Sequence, residues 1–427
     1  MRQVLRGGRV VDPSQELDQP RDVLIEGERI AALLPPGEAV AEVMEHDVSG
    51  LVVVPGLIDL HVHLREPGQE YKETVESGTR AAAAGGFTAV ACMPNTVPVN
   101  DSPSVTEHIL KAAARAGYAR VFPVSAVTKG MQGEELAEIG ETVLAGAAAI
   151  SDDGLPVEHP ELMRRALLYA LHFGVPLMQH AEELRLTGKG VMHEGEWSTR
   201  LGLEGIPASA EDVCVARDLI LAEETGGHYH VQHLSSGRSV ELVREAKRRG
   251  VHVTCEASLH HLLLTDEEVY RSGMSTHTKM KPPLRSERDR QLILAGLADG
   301  TIDCIASDHA PHHADEKDRE YDLAPFGIVG LETTVSLALD RLVRAGVISL
   351  ARFIALLTVE PAKILGQELG SLKPGSAADI TLLDLDRRIT VDPARFYSKS
   401  RNTPFAGWEL TGAPAGTFLT GRRIALP

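Results

Sequence analysis

A chain of 427 residues, 43% hydrophobic and 24% charged, has the make-up of a water-soluble protein with ample core. Its formal net charge of −17 argues against a nucleic-acid-binding surface and fits a small-molecule enzyme. Four cysteines (Cys92, Cys214, Cys255, Cys304) lack any C-x-x-C spacing, the N-terminus lacks a signal-type apolar segment, and no apolar run is long enough to span a bilayer; these features predict free thiols, a cytoplasmic location and no membrane partner.

In chain order, residues 1–50 alternate short strand patterns (Arg9–Val11, Asp22–Glu26, Ile30–Leu34) with turns and carry no chemical cluster. The tail, residues 366–427, behaves alike, with Asp379–Asp384, Thr390–Val391 and Gly416–Thr420. Neither end makes a core alone, so a small composite β-domain built from both termini is expected. It flanks one catalytic body over residues 51–365. That body repeats a strand-then-helix rhythm, which predicts parallel strands covered by helices. The candidate strands are Val52–His61, Phe87–Met93, Arg120–Ala126, Ala147–Asp152, Pro176–His180, His228–His233, His252–Glu256 and Thr301–Ser307. Eight such runs make an α/β fold of the TIM-type (β/α)8 class. Between them, Ser102 and Pro103 open a helix with Val105, Ile109, Leu110 and Ala113 on one face, and Gly117 closes it. Pro160 opens another that stops at Gly174.

The run Asp59-Leu60-His61-Val62-His63 follows the apolar stretch Leu51–Val54 and the turn Pro55-Gly56. Residues i and i+2 of a strand share a side, so His61 and His63 can aim both imidazoles at one point. A His-x-His pair alone is weak evidence. Here it has distant partners, Asp153, His180, His233 and Asp308, each of which closes an apolar run. A lone histidine ordinarily packs or caps a helix; four histidines and two aspartates at successive strand ends read as a metal hydrolase. Zinc accepts this donor set, and two metals can share a carboxylate and a bridging hydroxide. His228, His230, His252, His260, His261, His277 and His309 have no motif support as ligands and are read as packing residues.

With these residues in view, the chain resembles dihydroorotases of the amidohydrolase superfamily, specifically the bacterial class I type. Asp59 through Gly68 is similar to the first family signature, and Ala306-Ser307-Asp308-His309-Ala310-Pro311-His312, followed by Lys317, is similar to the second. Ala91 through Thr96, Ile150 through Gly154, His230 through His233 and Gly375 through Asp379 support the match. The resemblance implies zinc, two ions per subunit: His61 and His63 on one, His180 and His233 on the other, with Asp153 and a hydroxide as bridges. Asp308 would ligate the first ion and shuttle the proton. Dihydropyrimidinases and hydantoinases bridge their metals with a carboxylated lysine; residues 140–160 hold no lysine, and Asp153 takes that place.

The resemblance further implies zinc-dependent, reversible hydrolysis of L-dihydroorotate to N-carbamoyl-L-aspartate in pyrimidine biosynthesis. Arg65 suits bidentate carboxylate recognition, and Asn95 offers an amide donor to the same group. His63, Leu64, His312, Phe326 and Gly327 are placed around the substrate on the same grounds. Where family members carry Asn in Lys-Met-Asn-Pro-Pro-Leu-Arg, this chain has Lys281, which leaves that contact open. A homo-oligomer is expected, and association with aspartate transcarbamoylase stays open. The alternatives are another cyclic amidase (allantoinase or hydantoinase/dihydropyrimidinase) and a dihydroorotase-like scaffold for the transcarbamoylase. Arg65, Asn95 and Asp153 argue against the first; six intact ligands argue against the second. The charged segment His313–Tyr321 is a candidate lid, against the plainer reading of a solvated loop.

Overall fold

The computed structural model describes residues 2–426, and at its centre eight parallel strands follow one another in chain order. They are β1 (Leu57–Val62), β2 (Phe87–Cys92), β3 (Arg120–Ser125), β4 (Ala149–Ile150), β5 (Leu177–Gln179), β6 (Tyr229–Val231), β7 (Val253–Ser258) and β8 (Cys304–Ala306). Seven seams are hydrogen-bonded ladders. The eighth, between β8 and β1, closes just beyond the strand ends. There Val62 bridges to His309, the His63 amide donates to the His309 carbonyl at 2.9 Å, and the Asp59 carboxylate accepts the Ser307 amide at 3.1 Å. Strands covered on both faces read as unbroken apolar runs, and every residue of β1 and β2 is buried.

The helices keep their expected ends. Pro103–Ala116 stops at Gly117 and Pro160–Phe173 at Gly174, both glycines in the left-handed conformation at φ 66° and 68°. Ser102 differs from expectation in one respect: its hydroxyl meets Ser104 Oγ at 3.1 Å and makes no capping bond to the helix.

The run read as one strand, Val52–His61, is two. Val52–Pro55 lies in a six-stranded sheet, antiparallel to Ile380–Thr390 with Val54 opposite Thr381. Arg9–Asp12, Leu17–Pro20, Glu409–Leu419 and Arg422–Arg423 complete that sheet, which therefore draws strands from both ends of the chain. At Gly56 the chain crosses into the barrel, and a Cβ there would sit 2.1 Å from Thr88 Oγ1, so the close approach requires glycine. A second sheet holds Arg2–Arg6, Asp22–Glu26, Arg29–Leu34 and Met44–Asp47. Leu5, Val10, Ile25, Val53, Ile380 and Phe418 form a shared buried core, each contributing roughly 1.5–3 kcal/mol by burial. This core anchors the start of β1, and β1 carries His61. Among the described residues no helix is long and apolar enough to cross a membrane.

Candidate metal centre and substrate cavity

All six residues expected as ligands meet at the C-terminal ends of the barrel strands, the face on which barrels of this class place their chemistry. Asp153 is central. Its Oδ1 lies 3.3 Å from His61 Nε2, 3.5 Å from His233 Nε2 and 3.9 Å from His180 Nδ1, while its Oδ2 lies 3.4 Å from His63 Nε2. Asp308 Oδ1 faces both His61 Nε2 and His63 Nε2 at 3.5 Å. His180 Nδ1 and His233 Nε2 stand 2.9 Å apart. Donor atoms of His61, His63 and Asp308 lie within 4.8 Å of one another, as do those of His61, Asp153 and His233.

This cluster fits a cation. His61 Nε2 and Asp153 Oδ1 are buried without a hydrogen-bond partner, an expensive arrangement for polar atoms unless a metal completes it. Burial opposes ionisation of both aspartates, yet the facing imidazoles, His61 foremost, outweigh it and hold both carboxyls well below the usual range. Burial likewise opposes a charge on His61, and Asp153, Asp308 and Glu256 overcome it to push the imidazole well above its ordinary value. The pocket therefore demands positive charge. Three residues around it hold the left-handed backbone that non-glycine residues rarely adopt: Asp308 (φ 46°), His233 (φ 31°) and Arg65 (φ 61°). Such conformations cost ~1–3 kcal/mol each and collect at functional sites.

Asp153 links the two halves of the cluster, so Asp153→Ala is expected to lower metal affinity by at least ~10–100-fold, the range that even outer-layer partners cost. The loss should fall mainly on the half held by His180 and His233. Metal analysis after dialysis checks this, and undiminished occupancy would place the link elsewhere, with neighbouring Asp152 the first suspect.

Beside the cluster lies a cavity of about 340 Å³ lined by His63, Arg65, Asn95, Lys281, His312, Phe326 and Gly327 among others. Arg65 is buried, and its Nε donates to the Pro311 carbonyl at 3.3 Å, using one of five N–H donors. Asn95 Oδ1 accepts from His63 Nδ1 at 2.8 Å, which turns His63 Nε2 toward the aspartates and leaves the Asn95 Nδ2 amide as a donor. His312 donates from Nε2 to the Phe326 carbonyl at 2.8 Å. Burial first, then the cations of Arg65, Lys72 and Lys317, push its pKa down to about 2, so the ring is neutral. At Gly327 (φ 151°) a Cβ would strike the His312 ring at 2.7 Å. Leu64 is absent from the lining; its side chain is wholly buried against Gly78. Lys281 reaches the cavity, but its Nζ lies 2.8 Å from Glu182 Oε2, which is 3.4 Å from His180 Nε2.

The segment after the second signature is exposed over most of its length and tied down at a few residues. Lys317 is buried, donating to the Pro325 and Gly327 carbonyls at 2.8 and 3.2 Å, and Glu316 pairs with Lys72 at 3.1 Å. The roles of four residues escaped sequence reasoning. Glu256 accepts from His61 Nδ1 at 2.7 Å, Asp59 closes the barrel seam, and Glu182 backs His180. Glu73 meets His309 Nε2 at 3.3 Å, and His309 Nδ1 accepts the Gly330 amide at 3.2 Å behind Asp308. The available signal was a lone acid in an otherwise apolar strand, as in Val253-Thr254-Cys255-Glu256, where burial of the charge demands a partner.

Comparison with known proteins gives the family. Residues 50–239 match the family model described as dihydro-orotase-like, and residues 214–423 match the amidohydrolase family model. The dihydroorotase of Anaeromyxobacter sp. (strain K) is 54% identical over 420 residues, covering 98% of this chain and 97% of that protein. The dihydroorotase of Pelotomaculum thermopropionicum is 55% identical over 425 residues, covering 99% and 98%. The chain belongs to the dihydroorotase family. Among solved structures, the L-hydantoinase (dihydropyrimidinase) of Arthrobacter aurescens superposes with a TM-score of 0.89 at 26% identity, covering 100% of this chain and 96% of that one. This chain thus shares its architecture with that hydantoinase, and in sequence it stands much nearer to the dihydroorotases.

Proposed function

We propose that this chain is a zinc-dependent dihydroorotase that catalyses the reversible hydrolysis of L-dihydroorotate to N-carbamoyl-L-aspartate in cytoplasmic pyrimidine (UMP) biosynthesis. The observation that carries the reading is Arg65, a buried guanidinium lining the same cavity as the carboxylate–imidazole cluster. A hydantoinase reading has the shared fold in its favour, but a neutral ring gives Arg65 nothing to bind.

His61, His63, Asp153, His180, His233 and Asp308 would hold two zinc ions, with Asp153, which faces imidazoles from both halves of the cluster, shared between them. When bound, zinc polarises the ring amide carbonyl and acidifies the attacking water. Arg65 and the Asn95 amide hold the substrate carboxylate, while His312 and the backbone at Phe326 and Gly327 form the facing wall. Asp308 Oδ2, which has no protein partner, takes the proton released by the attacking water. It then delivers that proton to the ring nitrogen as the C–N bond breaks. Ring closure reverses the transfer: the carbamoyl nitrogen gives up its proton to Asp308 as it attacks the carboxyl carbon, and water leaves.

The test is a comparison of substrates. The purified protein should convert dihydroorotate to N-carbamoyl-aspartate with a kcat/KM well above that for dihydrouracil, hydantoin or allantoin. Preference for any of those neutral rings would overturn the reading.

A further inference from the structure

Below the metal cluster, a file of side chains runs through the barrel interior. His61 Nδ1 meets Glu256 Oε1 at 2.7 Å, and Glu256 Oε2 meets His230 Nε2 at 3.2 Å. His230 Nδ1 then meets Thr254 Oγ1 at 2.8 Å, and Thr254 Oγ1 meets His228 Nε2 at 2.8 Å. His61, Glu256 and His230 are wholly buried. The file ends at half-buried His228, whose ring stacks on exposed His252 at 4.1 Å.

With both Glu256 carboxylate oxygens as acceptors, one arrangement of protons satisfies every contact. A carboxylate only accepts, so His61 donates from Nδ1 and presents its Nε2 lone pair to the metal cluster. His230 donates from Nε2 to the second carboxylate oxygen, which makes its Nδ1 an acceptor. The Thr254 hydroxyl donates to that nitrogen and accepts from His228. Glu256 Oε1 also accepts the His233 amide at 3.2 Å, so one carboxylate steadies residues from both halves of the cluster.

We propose that His230 is a positioning residue for the metal centre: held in one tautomer by Thr254, it orients Glu256 and through it fixes the ring and tautomer of His61. The proposal rests on the metal-ligand reading above. Plain packing would require the shape of His230 alone; positioning requires its Nε2 donor. Glu256 lies directly behind a ligand, where partners typically contribute ~10–100-fold in metal affinity, and His230 stands one layer further out.

The test uses the purified full chain, stripped with a chelator and titrated with zinc, alongside cobalt-substituted protein whose visible spectrum reports ligand geometry. His230→Phe keeps the volume and removes the donor. It should weaken zinc affinity by about 10-fold, the lower end of that range, alter the cobalt spectrum, and lower kcat with little change in KM. His230→Gln, which can still donate from its amide, should stay close to the parent. Thr254→Val, outside the buried ion cluster, should shift affinity in the same direction by a smaller factor, and it keeps the test decisive if His230→Phe does not fold. Zinc affinity and cobalt spectra indistinguishable from the parent in the folded variants would overturn the positioning role. A parent chain that bound no zinc would instead overturn the ligand reading, and this inference with it.

Discussion

Asp308→Asn is expected to lower kcat for dihydroorotate by roughly 10²–10⁴-fold, the usual worth of a positioned acid–base group, in a protein that folds normally. The backbone supports a clean experiment: Asp308 sits at φ 46°, a conformation that asparagine tolerates better than most residues. The amide oxygen can still face His61 and His63 as a weak ligand. What disappears is the basic oxygen, Oδ2, that lacks any protein partner. Folding and metal content measured beside turnover separate the two roles. Near-parental turnover in a well-folded variant would show that the proton is carried elsewhere.

Arg65→Met should divide substrates by charge. The change keeps an apolar stem of similar length and removes the guanidinium fork, while the imidazoles of His61 and His63 are left in place. Truncating one side of a buried, hydrogen-bonded charge pair costs about 2–5 kcal/mol, much of it from the partner left unpaired. That corresponds to a loss of roughly 30- to several-thousand-fold in kcat/KM for dihydroorotate. A neutral ring such as dihydrouracil loses no charge partner, so whatever turnover the parent shows on it should change far less. Steady-state kinetics on both substrates provide the check. Equal losses on the two would mean that Arg65 supports the wall at Pro311 and not substrate recognition.

The clustering of these six side chains was legible in the sequence because each member closes an apolar strand, and strands of a parallel barrel end on one face. His61 and His63 also announce themselves by their i, i+2 spacing. The apolar run from Val52 to His61 misled for a physical reason: a strand of the terminal sheet and a strand of the barrel are both buried, and hydrophobicity does not change where the chain crosses at Gly56. Tertiary partners were invisible. Glu256 is 195 residues from His61 and Glu182 is 99 residues from Lys281, and no periodicity links such pairs. The departure at Lys281 posed a question that only the packing could address; in this structure the ammonium is committed to Glu182. His230 was passed over because it lies three residues before His233 and so does not share its face. Its contact with Glu256 on the adjacent strand gives it a different place in the site.

The proposed chemistry stands or falls on these six side chains holding the metal that opens and closes the dihydroorotate ring. The most direct measurement strips the purified chain of metal, titrates zinc back, and follows dihydroorotate hydrolysis and N-carbamoyl-aspartate cyclisation in parallel with bound zinc. The stripped protein should be inactive, and both directions should return together as zinc fills up to two sites per chain. Full activity in the stripped protein, or zinc binding that restores neither direction, would contradict that chemistry.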